Sequence, residues 1–333
     1  MGFTFSLERP STPQTGANLL TSFRVRRMLV TALAVGVTAL FVAYLVIAVN
    51  WHSRSFFGAV VSHTMVVTGA RPTGDEAWNG LAAGINARDY VTAVNGQTLL
   101  TEPGNFLSAR ATFDRIMSGI APDTSITVDV LRPDGTAATV TYNTQVSPTG
   151  DFLIYFIVPY VSGLIVLFAA WVILLRRSHQ PGALLGVTVA LLVALFMAGV
   201  FDSGTTQLLA PLYYLTTSLI GGVLVVLAVT FPSRLGFMYS APWLIGVPIV
   251  GSSALGIFAI YNHFAPPTPA AYIQSPQTAF TSATVGMALF IFLMYLQRRQ
   301  AISRLTRDQS SMLLMGTALA FALGVICLMG QVA

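Results

Sequence analysis

The chain has 333 residues, 54% of them hydrophobic and only 9% charged, with a formal net charge of +5. A soluble domain carries about 25% charged residues, so an ordinary water-soluble enzyme is excluded and the lipid bilayer is the main solvent. All seventeen basic residues are Arg, which reads as genome bias, and many stand at the ends of apolar runs, where membrane topology accounts for them and nucleic-acid binding does not.

In chain order, residues 1–23 are polar and irregular and read as a flexible cytoplasmic tail. Arg24, Arg26 and Arg27 precede an apolar run from Met28 to Val49. About 20 residues of helix span a 30 Å hydrocarbon core, so residues 24–50 are expected to form a transmembrane helix. The run is longer than the apolar part of a cleaved signal peptide, which predicts an uncleaved anchor. The next stretch is different: nine of the twelve acidic residues lie between Trp51 and Asp151. Residues 52–150 are therefore expected to fold as a water-facing domain. Residues 151–333 return to apolar sequence, with six further spans expected at about 152–175, 182–201, 209–231, 242–262, 278–297 and 311–330. With the first three Arg inside, the short loops carrying Arg176 and Arg177, Arg234, and Arg298, Arg299, Arg304 and Arg307 all fall on the same side. The domain between the first two spans is then extracytoplasmic, as are Asp202 and the Pro-rich loop from His263 to Gln277.

Within the domain, Tyr90 to Val94 alternates as a strand and Asn95-Gly96 is a strong hairpin turn. Phe106, Ala109, Phe113 and Ile116–Met117 share one face at helical spacing over 106–118. Ile126–Leu131 and Thr139–Tyr142 read as strands joined by the turn Pro133-Asp134-Gly135. The segment Trp78 to Gly96, with Ala83-Gly84-Ile85, Asp89 and Val94-Asn95-Gly96, resembles the central signature of bacterial PDZ domains. The resemblance implies an α+β domain with a peptide groove between a strand at Val60–Val67 and the helix Phe106–Ser118. Phe56-Phe57-Gly58-Ala59 is similar to the loop that captures a terminal carboxylate in that family. Arg88 departs from the pattern, because a Gly usually precedes the Asp and relieves a positive φ. The peptide-binding residues implied are Phe57, Gly58, Ala59, Val61 and Phe113. A groove filled by the protein itself is the other reading, and Trp51, Phe56 and Phe57 suit interfacial anchoring as well as ligand contact.

Catalytic signatures are absent from the sequence. A PDZ-like domain beside apolar spans suggests intramembrane proteolysis, but there is no His-Glu-x-x-His zinc helix and no Glu after Glu102. His179 and His263 are expected in loops on opposite faces, so neither partners an intramembrane Ser, and there is no Gly-x-Ser-x-Gly elbow. Transport commonly uses ionisable groups near the midplane. Asp202 comes nearest, at an outer helix end where capping or solvent contact explains it. Pro159, Pro248, Gly221-Gly222 and Gly251-Ser252-Ser253 read as sites of kinking or close helix packing. Cys327 is the single cysteine, so no internal disulfide and no Cys-based metal site is expected. His52, His63, His179 and His263 show no ligand spacing and read as loop or interface residues. No metal and no cofactor is expected.

Ala228 to Arg234, Ala241 to Leu244 and Arg304 to Gln309 resemble the membrane region of bacterial PDZ-containing sensor histidine kinases. That resemblance covers about residues 24 to 330 and implies a multi-pass protein of the bacterial inner membrane. The sequence has no phosphoacceptor His motif and no Gly-rich ATP site, so the chain itself is not expected to be an enzyme. Seven spans and the abrupt end suggest the input region of a longer sensor or a stand-alone relative signalling through a partner. The expectation is a polytopic α-helical membrane protein with an inserted PDZ-like α+β domain. It would sense an extracytoplasmic peptide or protein, with a cytoplasmic output domain or a second copy as partner and no nucleic acid. The rival reading is a non-catalytic scaffold or accessory subunit of a larger membrane complex.

Overall fold

A computed structural model describes residues 16–99, 105–180, 182–233, 235, 240–301 and 303–316. Helix α1 runs from Gly16 to His52. Its membrane-length part, Phe23–His52, has 30 residues and is about 45 Å long, so it overshoots the hydrocarbon at one or both ends. The helix also takes in residues 16–23, which corrects the expectation of an irregular tail there; residues 1–15 lie outside the described residues.

Among its described residues the polar insert contains two small sheets and two helices. Strand β1 (Ser55–Phe56) pairs antiparallel with β6 (Gln145–Val146), bringing the two ends of the insert together. Between them lie α2 (Asn79–Ala82), β2 (Tyr90–Val94), β3 (Gln97–Thr98), α3 (Phe106–Ser118), β4 (Ser125–Leu131) and β5 (Ala137–Asn143). The second sheet has the order β3-β2-β4-β5 and is antiparallel throughout, with a register shift between Val91 and Ala93. Asn95 and Gly96 both hold positive φ, as a two-residue hairpin turn requires. At the β4–β5 turn, Asp134 accepts hydrogen bonds from the Thr136 N–H and hydroxyl, and Gly135 sits at φ +84°. Helix α3 buries Phe106, Ala109, Phe113 and Met117, the last three in one cluster with the sheet. Its first turn is capped by Asn105, whose side chain accepts the Ser108 N–H at 3.2 Å. Arg88 holds φ +72°, the conformation its departure from the glycine pattern put in question, at a cost of about 1–2 kcal/mol for a residue with a Cβ.

Five further helical segments are long and apolar enough to cross a membrane, making six among the described residues: Phe23–His52, Thr149–Arg177, Ala183–Gly204, Ala210–Thr230, Pro242–Phe264 and Pro269–Arg299. The second begins with α4 (Thr149–Phe152), continues through a π-helical stretch (Leu153–Ile157) and becomes α5 (Val158–Arg177). Pro159 explains the π stretch: it has no N–H to donate and its ring crowds the carbonyl four residues back, so the preceding turn widens. The others are α6 (Ala183–Gly204), α7 (Ala210–Thr230), α8 (Gly246–Phe264) and α9 (Gln274–Gln300). Residues 304–316 are helical, and the rest of the span expected at 311–330 lies outside the described residues.

Helices α1, α5 and α6 pack as one group and α7, α8 and α9 as another, with α6 against α7 joining them. Helix α7 is the axis. In its most apolar window 83% of residues are buried, against 17–44% in the other five spans. Small residues make that possible. A Cβ on Gly221 would strike the Ser282 carbonyl on α9, and one on Gly222 would strike Ser252 and the Pro248 carbonyl on α8. Gly286 on α9 backs directly onto Gly221. At the far end of α7, the Gln297 amide donates to the carbonyls of Ala228 and Ser233.

Candidate functional site

The polar domain and the membrane helices meet along one end of the bundle, and the candidate site forms there. After β1 the chain passes through Phe57 and Gly58. Gly58 holds φ +78° with its α-carbon against Gly80, leaving no space for a Cβ. The Gly58 carbonyl accepts the Leu81 N–H at 3.1 Å, and the Phe57 carbonyl accepts the Tyr142 hydroxyl at 2.6 Å. This turn is therefore stitched into the domain.

Val60 to Thr68 is a tight hairpin, not the continuous strand expected at Val60–Val67. The Thr68 N–H bonds the Val60 carbonyl and the Ser62 N–H bonds the Val66 carbonyl, both at 2.8 Å, and Met65 turns the corner at φ +64°. Ser62 explains the reversal. Its hydroxyl accepts the Val66 N–H at 3.2 Å and lies 2.9 Å from the Thr64 hydroxyl, giving the backbone a local alternative to extension. The returning limb bridges Val66 to Tyr90 at the start of β2.

The outgoing limb and α3 face each other across a cavity of about 220 Å³. Of the residues expected to bind peptide, Phe57, Ala59, Val61 and Phe113 line this cavity, and the Phe57 and Phe113 rings meet edge-on at 5.2 Å. All four also belong to the domain's buried core, each at most 6% exposed. Gly58 is not among the lining residues and faces Gly80 instead, which corrects its place in the expected set.

Arg110 is the central polar residue of the groove, and the sequence did not single it out. Its Nε bonds Asp114, Nη1 donates to the Val61 carbonyl at 3.0 Å, and Nη2 donates to the Thr205 carbonyl at 2.8 Å. One guanidinium thus joins both walls of the groove to the loop between α6 and α7. Thr205, Thr206 and Leu208 of that loop complete the cavity wall. Asp202, 1% exposed, holds the loop in shape. Its carboxylate accepts the Thr206 hydroxyl and the N–H groups of Leu208 (3.0 Å) and Leu209 (2.9 Å) at the start of α7. Of the two expectations for Asp202, capping or solvent contact, its burial and its bonds to the N–H groups leading into α7 match the first.

Two further contacts fix the domain. At the hairpin tip, the Thr64 hydroxyl donates to the Pro269 carbonyl at 2.7 Å, and the His63 and His263 rings lie 4.0 Å apart, each residue 3% exposed. Burial pushes the His63 pKa down to about 3, helped by His263 and Arg110 nearby and opposed by a hydrogen bond to the His263 backbone. At the base, Asp151 receives the Thr73 N–H (2.6 Å) and hydroxyl (2.5 Å) on one oxygen and the Trp78 indole N–H (2.6 Å) on the other. Asp151 therefore ties the second span to the segment before α2. In sequence it looks like the last acid before an apolar run, and its partners 73–78 residues upstream give no local signal.

Among the described residues no three His, Cys, Asp or Glu side chains converge as a metal site would require. The chain matches no protein family, no curated protein and no solved structure.

Proposed function

We propose that this chain is a sensory module of a cell membrane that takes an extended peptide or protein end into a PDZ-like groove between the Phe57–Val61 segment and α3. The observation carrying this reading is Arg110, which bonds the groove edge at Val61 and the interhelical loop at Thr205 with the same guanidinium. A peptide adding as a strand needs edge carbonyls as acceptors. To use the Val61 carbonyl it must displace Arg110, and that frees Thr205. Loop 205–209 is wired through Asp202 to the end of α6 and the start of α7, so groove occupancy and helix arrangement become two sides of one equilibrium. The ligand moves that equilibrium only by its differential affinity for the sealed and open states. In this reading the Arg-bearing helix ends face the cytoplasm and the domain is extracytoplasmic.

The test is binding of carboxylate-ended extended peptides to the full chain in nanodiscs. Arg110→Gln removes the seal without touching the apolar wall, so saturable binding should tighten by about fivefold to tenfold as the cost of opening disappears. Absence of saturable binding in both proteins overturns the proposal.

A second reading, a constitutive scaffold or accessory subunit, draws on the tethers at Asp151, Pro269 and His263, which hold the domain in one pose. A stoichiometric partner that co-purifies in detergent with both wild type and Arg110→Gln favours this reading.

A further inference from the structure

A second cavity, of about 320 Å³, lies beneath the domain and apart from the α3 side of the groove. Its roof is the hairpin with Trp78, one wall is the start of the second span at Phe152 and Tyr155, and the opposite wall is α9 at Phe280. Phe201 of α6 and Tyr213 of α7 are also among its lining residues. Helices α5 and α9 make no extensive contact with each other, so the cavity occupies the cleft between the two helical groups. Its volume falls at the lower end of the range for small-molecule sites, about 300–1,000 Å³.

The polar atoms in this aromatic chamber are unevenly satisfied. Both oxygens of Asp151 are engaged by Thr73 and Trp78. The Nε2 of His63 and the Oε1 of Gln207 are buried with no hydrogen-bond partner. Burial pushes the His63 pKa down to about 3, so its ring is neutral at pH 7, and a neutral imidazole carries one donor and one acceptor nitrogen. The Gln207 oxygen is an acceptor, His63 Nε2 is one in the Nδ1–H tautomer, and a buried acceptor without a donor is costly. Among the described residues no Arg lines the chamber and Asp151 does, a lining that suits a neutral head better than an anionic one.

We infer that this chamber binds a neutral, membrane-partitioned small molecule with an apolar body and a hydrogen-bond-donating head, such as a hydroxyl, received by His63 and Gln207. The chamber shares Trp51, Phe56, Val60 and Thr205 with the peptide groove, but its ligand is a different one and its test uses no peptide.

Trp51 and Trp78 line the chamber, whereas Trp171 and Trp243 do not, so a brominated probe reports occupancy by quenching. The full chain in nanodiscs is titrated with 8-bromo-1-octanol and with 1-bromooctane, in wild type and in Trp51→Phe/Trp78→Phe. The alcohol should quench saturably, and about tenfold more tightly than the bromoalkane, the worth of one hydrogen bond. Saturable quenching should vanish in the double Trp variant. Gln207→Ala should narrow the gap between the two probes. Gly204→Leu fills the chamber from a position where a Cβ meets nothing within 4 Å, and should abolish saturation while the protein still elutes as a folded species. Quenching that rises linearly with probe and is unchanged by Gly204→Leu overturns the site. Equal affinity for the two probes overturns the role of the polar head.

Discussion

At the scale of single residues, specific polar contacts, most of them at least partly buried, tie the domain to the bundle. Asp151 is 4% exposed and takes three donors from Thr73 and Trp78. Asp151→Ala leaves the buried Trp78 indole N–H without its acceptor and releases Thr73, and should cost about 1–3 kcal/mol. Thermal unfolding in detergent, followed by size exclusion, measures that loss; a change under about 0.5 kcal/mol would show that Asp151 is not a latch. His63 gives a pH-dependent counterpart. Its pKa is about 3 while docked and near 6.5 when the hairpin is free in water. Between those values the undocked form holds the extra proton, so docking is strongest above about pH 6.5 and weakens as pH falls toward 3. Limited proteolysis between Ser62 and Arg71 should accelerate over that window, and His63→Phe should flatten the profile. None of these partnerships was legible in the sequence. His63 and His263 are two hundred positions apart, and each reads alone as an ordinary interface histidine.

At the scale of elements, legibility depended on whether the signal was local. Helix 106–118 and the Asn95-Gly96 turn came directly from spacing and turn chemistry, because the side chains that decide them are neighbours in sequence. The Val60–Thr68 hairpin did not, because its apolar pattern suits a strand and the reversal rests on the Ser62 hydroxyl bonding across the turn. The groove was half legible: its apolar wall was anticipated through Phe57, Ala59, Val61 and Phe113. Its polar seal was hidden, because Arg110 looked like one more solvated charge on a helix. The glycines of α7 were visible as a pair, but only the packing distinguishes them from other glycines. Gly222→Leu would drive a side chain into Ser252 and the Pro248 carbonyl, and should abolish a monodisperse folded fraction. Gly251→Ala, where a Cβ meets nothing within 4 Å, should leave thermal stability within about 0.5 kcal/mol of wild type. Fluorescence-detected size exclusion after heating compares the two.

At the scale of the whole molecule, the domain, the 205–209 loop and the turn at Pro269 share one end of the bundle, since Arg110 reaches Thr205 and Thr64 reaches Pro269. The proposed orientation places that end outside the cytoplasm. In a Cys327→Ser background, a cysteine at exposed Ser125 on β4 should react with a membrane-impermeant maleimide added to intact cells. One at exposed Ser303 should react only after the membrane is opened. The reverse pattern would place the domain in the cytosol and end the receptor reading. Of the seven spans expected, the six that lie among the described residues needed only composition and run length, whereas the grouping of helices around α7 depends on where small residues face each other.

That central position of α7 has a consequence for biogenesis. Its packing surfaces are supplied by α6, made before it, and by α8 and α9, made after it. During synthesis α7 leaves the translocon with Gly221 and Gly222 facing acyl chains, and it waits there until Ser252 and Gly286 arrive. Nascent chains halted near residue 240 would therefore hold a helix without its lateral partners, a substrate for membrane quality-control proteases, whereas chains halted after residue 300 would not.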